Sequence, residues 1–125
     1  MLRTVLGLQA AYYLVTGIWP WISMRTFEAV TGPKTDDWLV QTVGALVIAI
    51  GLALAVASWK RDRSALTLTL AAASAAAFIF VDVVFVLSGT IRPIYLADAV
   101  AEAAILAGLA LGASARGLGS SAIGT

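Results

Sequence analysis

No charged residue falls between Arg3 and Arg25, and none between Asp37 and Lys60. Each gap matches the roughly 20 residues that an α-helix needs to cross ~30 Å of hydrocarbon. This spacing constrains the fold more than any motif, because apolar blocks of that length leave little choice but a helix embedded in lipid. Composition agrees: 61% hydrophobic against 12% charged is too apolar for a water-soluble domain of 125 residues. Two further stretches are long enough to cross, but they carry Asp82, Asp98 and Glu102. The chain therefore reads as all-α, an integral membrane four-helix antiparallel bundle with helices at about 2–22, 38–59, 65–88 and 94–114. These form one domain over 1–115, and the Gly- and Ser-rich tail at 116–125 is expected to be disordered and cytoplasmic.

The first block starts Met-Leu-Arg like a secretory signal, yet it runs on through Trp19-Pro20-Trp21 without a small-x-small cleavage site, which predicts a retained helix. Trp19, Trp21, Trp38 and Trp59 sit where aromatic anchors meet the membrane interface. Between the first two helices, Met24 to Asp37 has an amphipathic first half carrying Phe27 and Val30, followed by a Gly32-Pro33 turn. That pattern predicts a short interfacial segment, with Asp36 or Asp37 capping the second helix. Arg3, Lys60, Arg61, Arg63 and Arg116 fall on one side of this topology, and Arg25, Lys34 and Arg92 on the other. The excess predicts both termini in the cytoplasm. Gly44 and Gly51 lie on a small-residue stripe of the second helix, and Gly108 and Gly112 form a GxxxG match in the fourth. Close packing inside the bundle is the favoured role for all four, ahead of a homodimer contact.

Cysteine and histidine are both absent. That removes disulfides, thiolate nucleophiles, Cys or His metal sites, His-ligated haem and the His-dependent catalytic triads from what this chain can supply. No catalytic residue, metal ligand or cofactor site is expected, and no basic run is long enough to track nucleic acid.

The intramembrane acids are the candidate site. A charged group near the bilayer centre costs at least ~2.5–3.5 kcal/mol, so such groups face protein, a partner or a water-filled cavity. Counting 1.5 Å per residue puts Asp82 roughly 9 Å from the outer end of its helix, and Asp98 and Glu102 roughly 6 and 12 Å from theirs. Asp98 and Glu102 are four apart and share a face. Tyr13 and Thr16 from the first helix and Gln41 from the second lie at similar depth, with Tyr95 one turn above Asp98. Together they predict an outer-leaflet polar pocket, with Arg25 and Arg92 as counter-ions at its rim. The plainer alternative is that Asp82 fixes helix register through hydrogen bonds and Asp98 snorkels to the interface. For Tyr12 and Tyr13, ordinary packing is favoured.

The Gly-Pro outer loop, the second helix from Leu39-Val40-Gln41-Thr42-Val43-Gly44 to Gly51-Leu52, and a fourth helix opening Arg92-Pro93-Ile94-Tyr95-Leu96-Ala97-Asp98 resemble the DoxX/DoxD-like group of small four-helix proteins. The likeness spans about residues 2–113. It implies a bacterial inner membrane, and for some members of the group a link to membrane oxidoreductase complexes. Lacking Cys and His, this chain would be a non-redox companion in such a complex. Two functions are thus expected. The first is a non-enzymatic accessory or interaction subunit, with membrane lipid and a membrane-protein partner or second copy around it. The alternative is binding or transport of a small lipophilic or cationic ligand in the pocket. Acid–base isomerisation of a lipid-like substrate ranks behind both.

Overall fold

A computed structural model describes residues 1–124 and the side chains of residues 1–114, so the side chains of the tail expected at 116–125 lie outside the described residues. Five helices follow one another: α1 (Leu2–Ile22), α2 (Met24–Thr31), α3 (Asp37–Trp59), α4 (Ala65–Leu87) and α5 (Tyr95–Gly124). The breaks have local causes. Ser23 leaves helical geometry and caps α2, its side chain accepting the Thr26 amide. At the other end of α2, Gly32 adopts φ 106°, a conformation that side chains with a Cβ rarely tolerate. Asp36 stands at the N-cap of α3 but makes no side-chain capping bond, so the expected acidic cap is a matter of charge near the helix dipole alone. Asp62 and Ser64 start α4: Ser64 accepts the Thr67 amide, while Asp62 accepts the Ser64 amide at 2.9 Å and the Thr67 hydroxyl at 2.8 Å.

α1 is the hub. It packs antiparallel along α3, the most extensive helix pairing, and α4 pairs with α5; α1 also reaches α5, whereas α3 and α4 barely touch. The α1 residues turned inward, Leu2, Leu6, Gln9, Ala10, Tyr13, Gly17 and Pro20, recur every three or four positions as a single helical stripe demands. Toward the α2 end of the pairing the two backbones meet directly. A Cβ on Gly44 would stand 2.6 Å from the Gly17 carbonyl oxygen, so no larger residue fits there without moving the helices apart. Farther along, Arg3 Nε donates to the Ser58 carbonyl at 3.1 Å and Ser58 Oγ donates to the Arg3 carbonyl at 2.8 Å, tying the start of α1 to the end of α3.

The polarity is that of a protein dissolved in lipid. Leu46, Leu52, Leu66, Phe80, Leu87, Val100 and Leu111 point outward, while Gln9, Asp82 and Glu102 are buried. Among the described residues, three helices are long and apolar enough to cross a membrane: Asp37–Trp59, Ala65–Leu87 and, on α5, Tyr95–Ser114. α1 matches them in length at 21 residues but is not among the three. Gln9, Tyr12, Tyr13, Trp19, Pro20 and Trp21 occupy positions that the other helices give to Leu, Val and Ala. Its polar groups serve the interior of the bundle. The fold is therefore three membrane-length helices, a more polar fourth at their hub, and the short α2.

Candidate functional site

Tyr12 and Tyr13 are adjacent on α1, so their side chains diverge by about 100° and reach two different acids. The Tyr13 hydroxyl donates to Glu102 Oε2 at 2.8 Å and accepts from Gln9 Nε2 at 3.2 Å, and Gln9 Nε2 also donates to the Ala71 carbonyl on α4 at 2.9 Å. This relay links α4, α1 and α5 through groups that are almost entirely buried. The Tyr13 ring meets Phe78 edge-on at 5.5 Å, which fixes its direction. Tyr12 donates to Asp98 Oδ1, the carboxylate one turn before Glu102. Thr16 turns its hydroxyl back onto the Tyr12 carbonyl at 2.8 Å.

Asp82 differs from the other two acids. It is 3% exposed and lies against Asp98 from the facing helix. Its Oδ2 is buried with no hydrogen-bond partner. A bare, buried carboxylate oxygen is costly, and its persistence calls for an explanation.

All three acids open into one cavity of about 690 Å³. α3 contributes Val40, Val43, Gly44 and Val47; α4 contributes Phe78 and Val81 beside Asp82; α5 contributes Tyr95, Ala97 and Ala101 beside Asp98 and Glu102. α2 closes the near end with Phe27, Val30 and Thr31. Trp19 pins that roof, donating its indole N–H to Thr26 at 2.8 Å and meeting Phe27 edge-on at 5.4 Å. Lys34 lies at the same end. Its ammonium donates to the Thr31 carbonyl at 3.1 Å, the Thr31 hydroxyl at 3.3 Å and the Gly32 carbonyl at 2.8 Å, and sits 5.4 Å from the centre of the Tyr95 ring. Just outside, Asp37 stands beside Glu28 and pushes the Glu28 carboxyl above its usual range, while Lys34 pulls the other way. Glu28 Oε1 is buried without a partner.

Of the residues singled out from sequence, Asp82, Asp98, Glu102, Tyr13, Thr16 and Tyr95 line this cavity. Gln41 does not. The cavity takes the 40, 43/44, 47 stripe of α3, and position 41 is turned about 100° away, where its carbonyl accepts the Trp21 indole at 3.0 Å. Nor do Arg25 and Arg92 form the rim. Arg25 lies on the exposed side of α2, off the Phe27, Val30, Thr31 face, and Arg92 lies against Gly32, where a Cβ would meet its Nε at 3.0 Å. Lys34 occupies the place given to them, folding back onto the last carbonyls of α2 as a cation near a helix C-terminus does. Tyr12, read as packing, holds Asp98. The Gly-Pro stop just before Lys34 was the available signal for the first; nothing in the spacing distinguishes Tyr12 from its neighbour. Gly44 touches both the cavity and α1, Gly51 takes Leu14, Gly108 takes Val5 and Gly112 takes Leu2. Among the described residues no group of three acids is arranged to hold a metal ion.

No protein-family model matches the chain, and no curated protein or solved structure matches it.

Proposed function

We propose that this protein is a bilayer-embedded binding protein in which α1, α3, α4 and α5 all cross the membrane, with both termini cytoplasmic, and hold a small lipophilic molecule bearing one polar end. The observation that carries the reading is the cavity: about 690 Å³, walled by Val, Ala, Phe and Pro, with carboxyl groups concentrated on α4 and α5. Pockets of this size and lining suit a small organic ligand, whose few polar contacts set orientation while apolar walls supply area. α2 is a short amphipathic lid at the membrane interface, where a ligand arriving from the outer leaflet would enter. Of the two functions expected from the sequence, this one has a built site behind it. For an accessory subunit the structure offers a shallow apolar groove lined by Ala76, Ile79, Phe80, Val83, Val84 and Leu106, a surface that acyl chains fill equally well.

Native mass spectrometry of protein released from nanodiscs tests the proposal. Wild type should carry a bound small lipophile, and Ala101→Trp, which fills the cavity from its α5 wall, should not. Equal occupancy of the two proteins, or none in either after extraction in several mild detergents, overturns it.

A further inference from the structure

Resting on that reading, we infer that the polar end of the ligand is an ammonium group with at least one N–H, docked on Asp82 Oδ2. Three observations converge. Asp98 and Glu102 already receive tyrosine hydroxyls, from Tyr12 and Tyr13, whereas Asp82 Oδ2 is buried without any donor. Lys34, the one Lys or Arg among the residues lining the cavity, already directs its ammonium to three oxygens of Thr31 and Gly32. The wall thus holds three acidic side chains and one cation that is already turned to oxygens of Thr31 and Gly32, so no cation of the cavity wall is left to meet Asp82 Oδ2. A metal ion is the wrong cation, since among the described residues the acids are not grouped to coordinate one; apolar walls beside a single buried, unpartnered carboxylate oxygen suit a hydrocarbon body with one N–H donor at its end. Such a donor supplies Asp82 with a charge-assisted hydrogen bond inside a medium that offers no water in its place.

An ammonium on a hydrocarbon tail is found both in free amines and in the headgroup of aminophospholipids. The test uses three single-chain probes with the same tail, decylamine, decanol and decanoate, titrated against protein in phosphatidylcholine nanodiscs, whose quaternary headgroups have no N–H. Binding is read from the shift in Tm. Wild type should bind decylamine about tenfold or more tighter than decanol, the scale of one hydrogen bond to a charged group, and decanoate most weakly. In Asp82→Asn and Asp82→Ser the amine should lose its advantage while decanol binds as before, which also shows that both variants keep the cavity. Asp36→Asn, which removes an exposed acid from the start of α3, should keep the advantage. Equal affinity for decylamine and decanol in wild type, or an amine preference that survives both Asp82 substitutions, overturns the inference while leaving the cavity reading intact. Failure of all three probes on wild type sinks the cavity reading itself. Adding phosphatidylethanolamine to the nanodiscs separates the sources: a Tm raised in wild type but not in Asp82→Asn assigns the site to a bilayer lipid, and a Tm raised only by decylamine assigns it to a free amine.

Discussion

The two ends of the bundle solve opposite problems with the same helices. Around the start of α1, small residues receive large ones: Gly108 takes Val5, Gly112 takes Leu2, Gly7 stands against Ser58, and Ala71 and Ala75 are fully enclosed. From the level of Tyr12 and Tyr13 toward the α2 end, the helices enclose a cavity carrying three acids, one of which has an oxygen with no donor, and the Gly17–Gly44 contact forms part of its wall. In lipid, helices gain nothing by hiding aliphatic surface from acyl chains, so association depends on close contact and on hydrogen bonds. The tightly packed end supplies the contact. That leaves the other end free to keep space and a bare carboxylate oxygen, both of which oppose folding and both of which a binding site requires.

The largest test of this division is Gly44→Leu at the tight contact of α1 with α3. Its side chain would have to displace the Gly17 backbone, which calls for a loss of about 3 kcal/mol or more and poor accumulation in membranes. Leu54→Ala, at a fully enclosed position, should cost about 2 kcal/mol, low for a buried leucine because the deleted carbons are as soluble in lipid as in the core. Val81→Ala, on the cavity wall and 43% exposed, should cost well under 1 kcal/mol by the same reasoning. Reversible unfolding in mixed micelles measures both, and equal losses would erase the contrast between packed and open ends.

Next come the hydroxyls. Tyr13→Phe leaves the Glu102 carboxyl buried without its donor and should destabilise by about 1–3 kcal/mol. Tyr12→Phe acts on the half-buried Asp98, which is less enclosed than Glu102, so its loss should be smaller. A reversed order in the same unfolding measurement would contradict the assignment of Glu102 to the sealed side of the cavity.

The smallest effects are electrostatic and of opposite sign at the two ends. The Thr67 hydroxyl and Ser64 amide hold the Asp62 carboxyl below its usual range. Its contribution is therefore present above the ordinary aspartate value and lost as pH falls through the lowered one. Asp62→Asn should remove that acid-side fall in Tm. Glu28 is pushed upward by Asp37, so its contribution is present below the ordinary glutamate value and disappears as pH rises through the raised one. Glu28→Gln should therefore raise Tm slightly at neutral pH, and a drop there would show that the Glu28–Asp37 contact is not repulsive.

Much of this architecture is legible in the charge spacing alone. Arg3, Asp37, Lys60 and Arg63 mark the start of α1, both ends of α3 and the start of α4 to within two residues, because a charged side chain and a hydrocarbon interior exclude each other at any point along a helix. The grouping of the acids was legible too, since rise per residue is constant, and the structure has Asp82, Asp98 and Glu102 lining one cavity. Azimuth was harder to read. Gln41 and Val40 differ by one position and about 100°, and in a helix made of Val, Leu and Ile no amphipathic pattern says which of them faces inward. The rim was least legible, because it depends on how the backbone leaves α2. The positive φ at Gly32 redirects the chain so that Lys34, rather than Arg25 or Arg92, returns to the cavity.

Absence of native cysteine allows the central contrast to be probed with single introduced thiols. Ala101→Cys on the cavity wall and Ala75→Cys in the enclosed α4 core should behave differently toward a small methanethiosulfonate reagent in nanodiscs. The account predicts rapid modification at position 101, slowed by prior addition of decylamine, and almost none at position 75. Equal reactivity at both positions, or a position 101 thiol that stays inert, would contradict it.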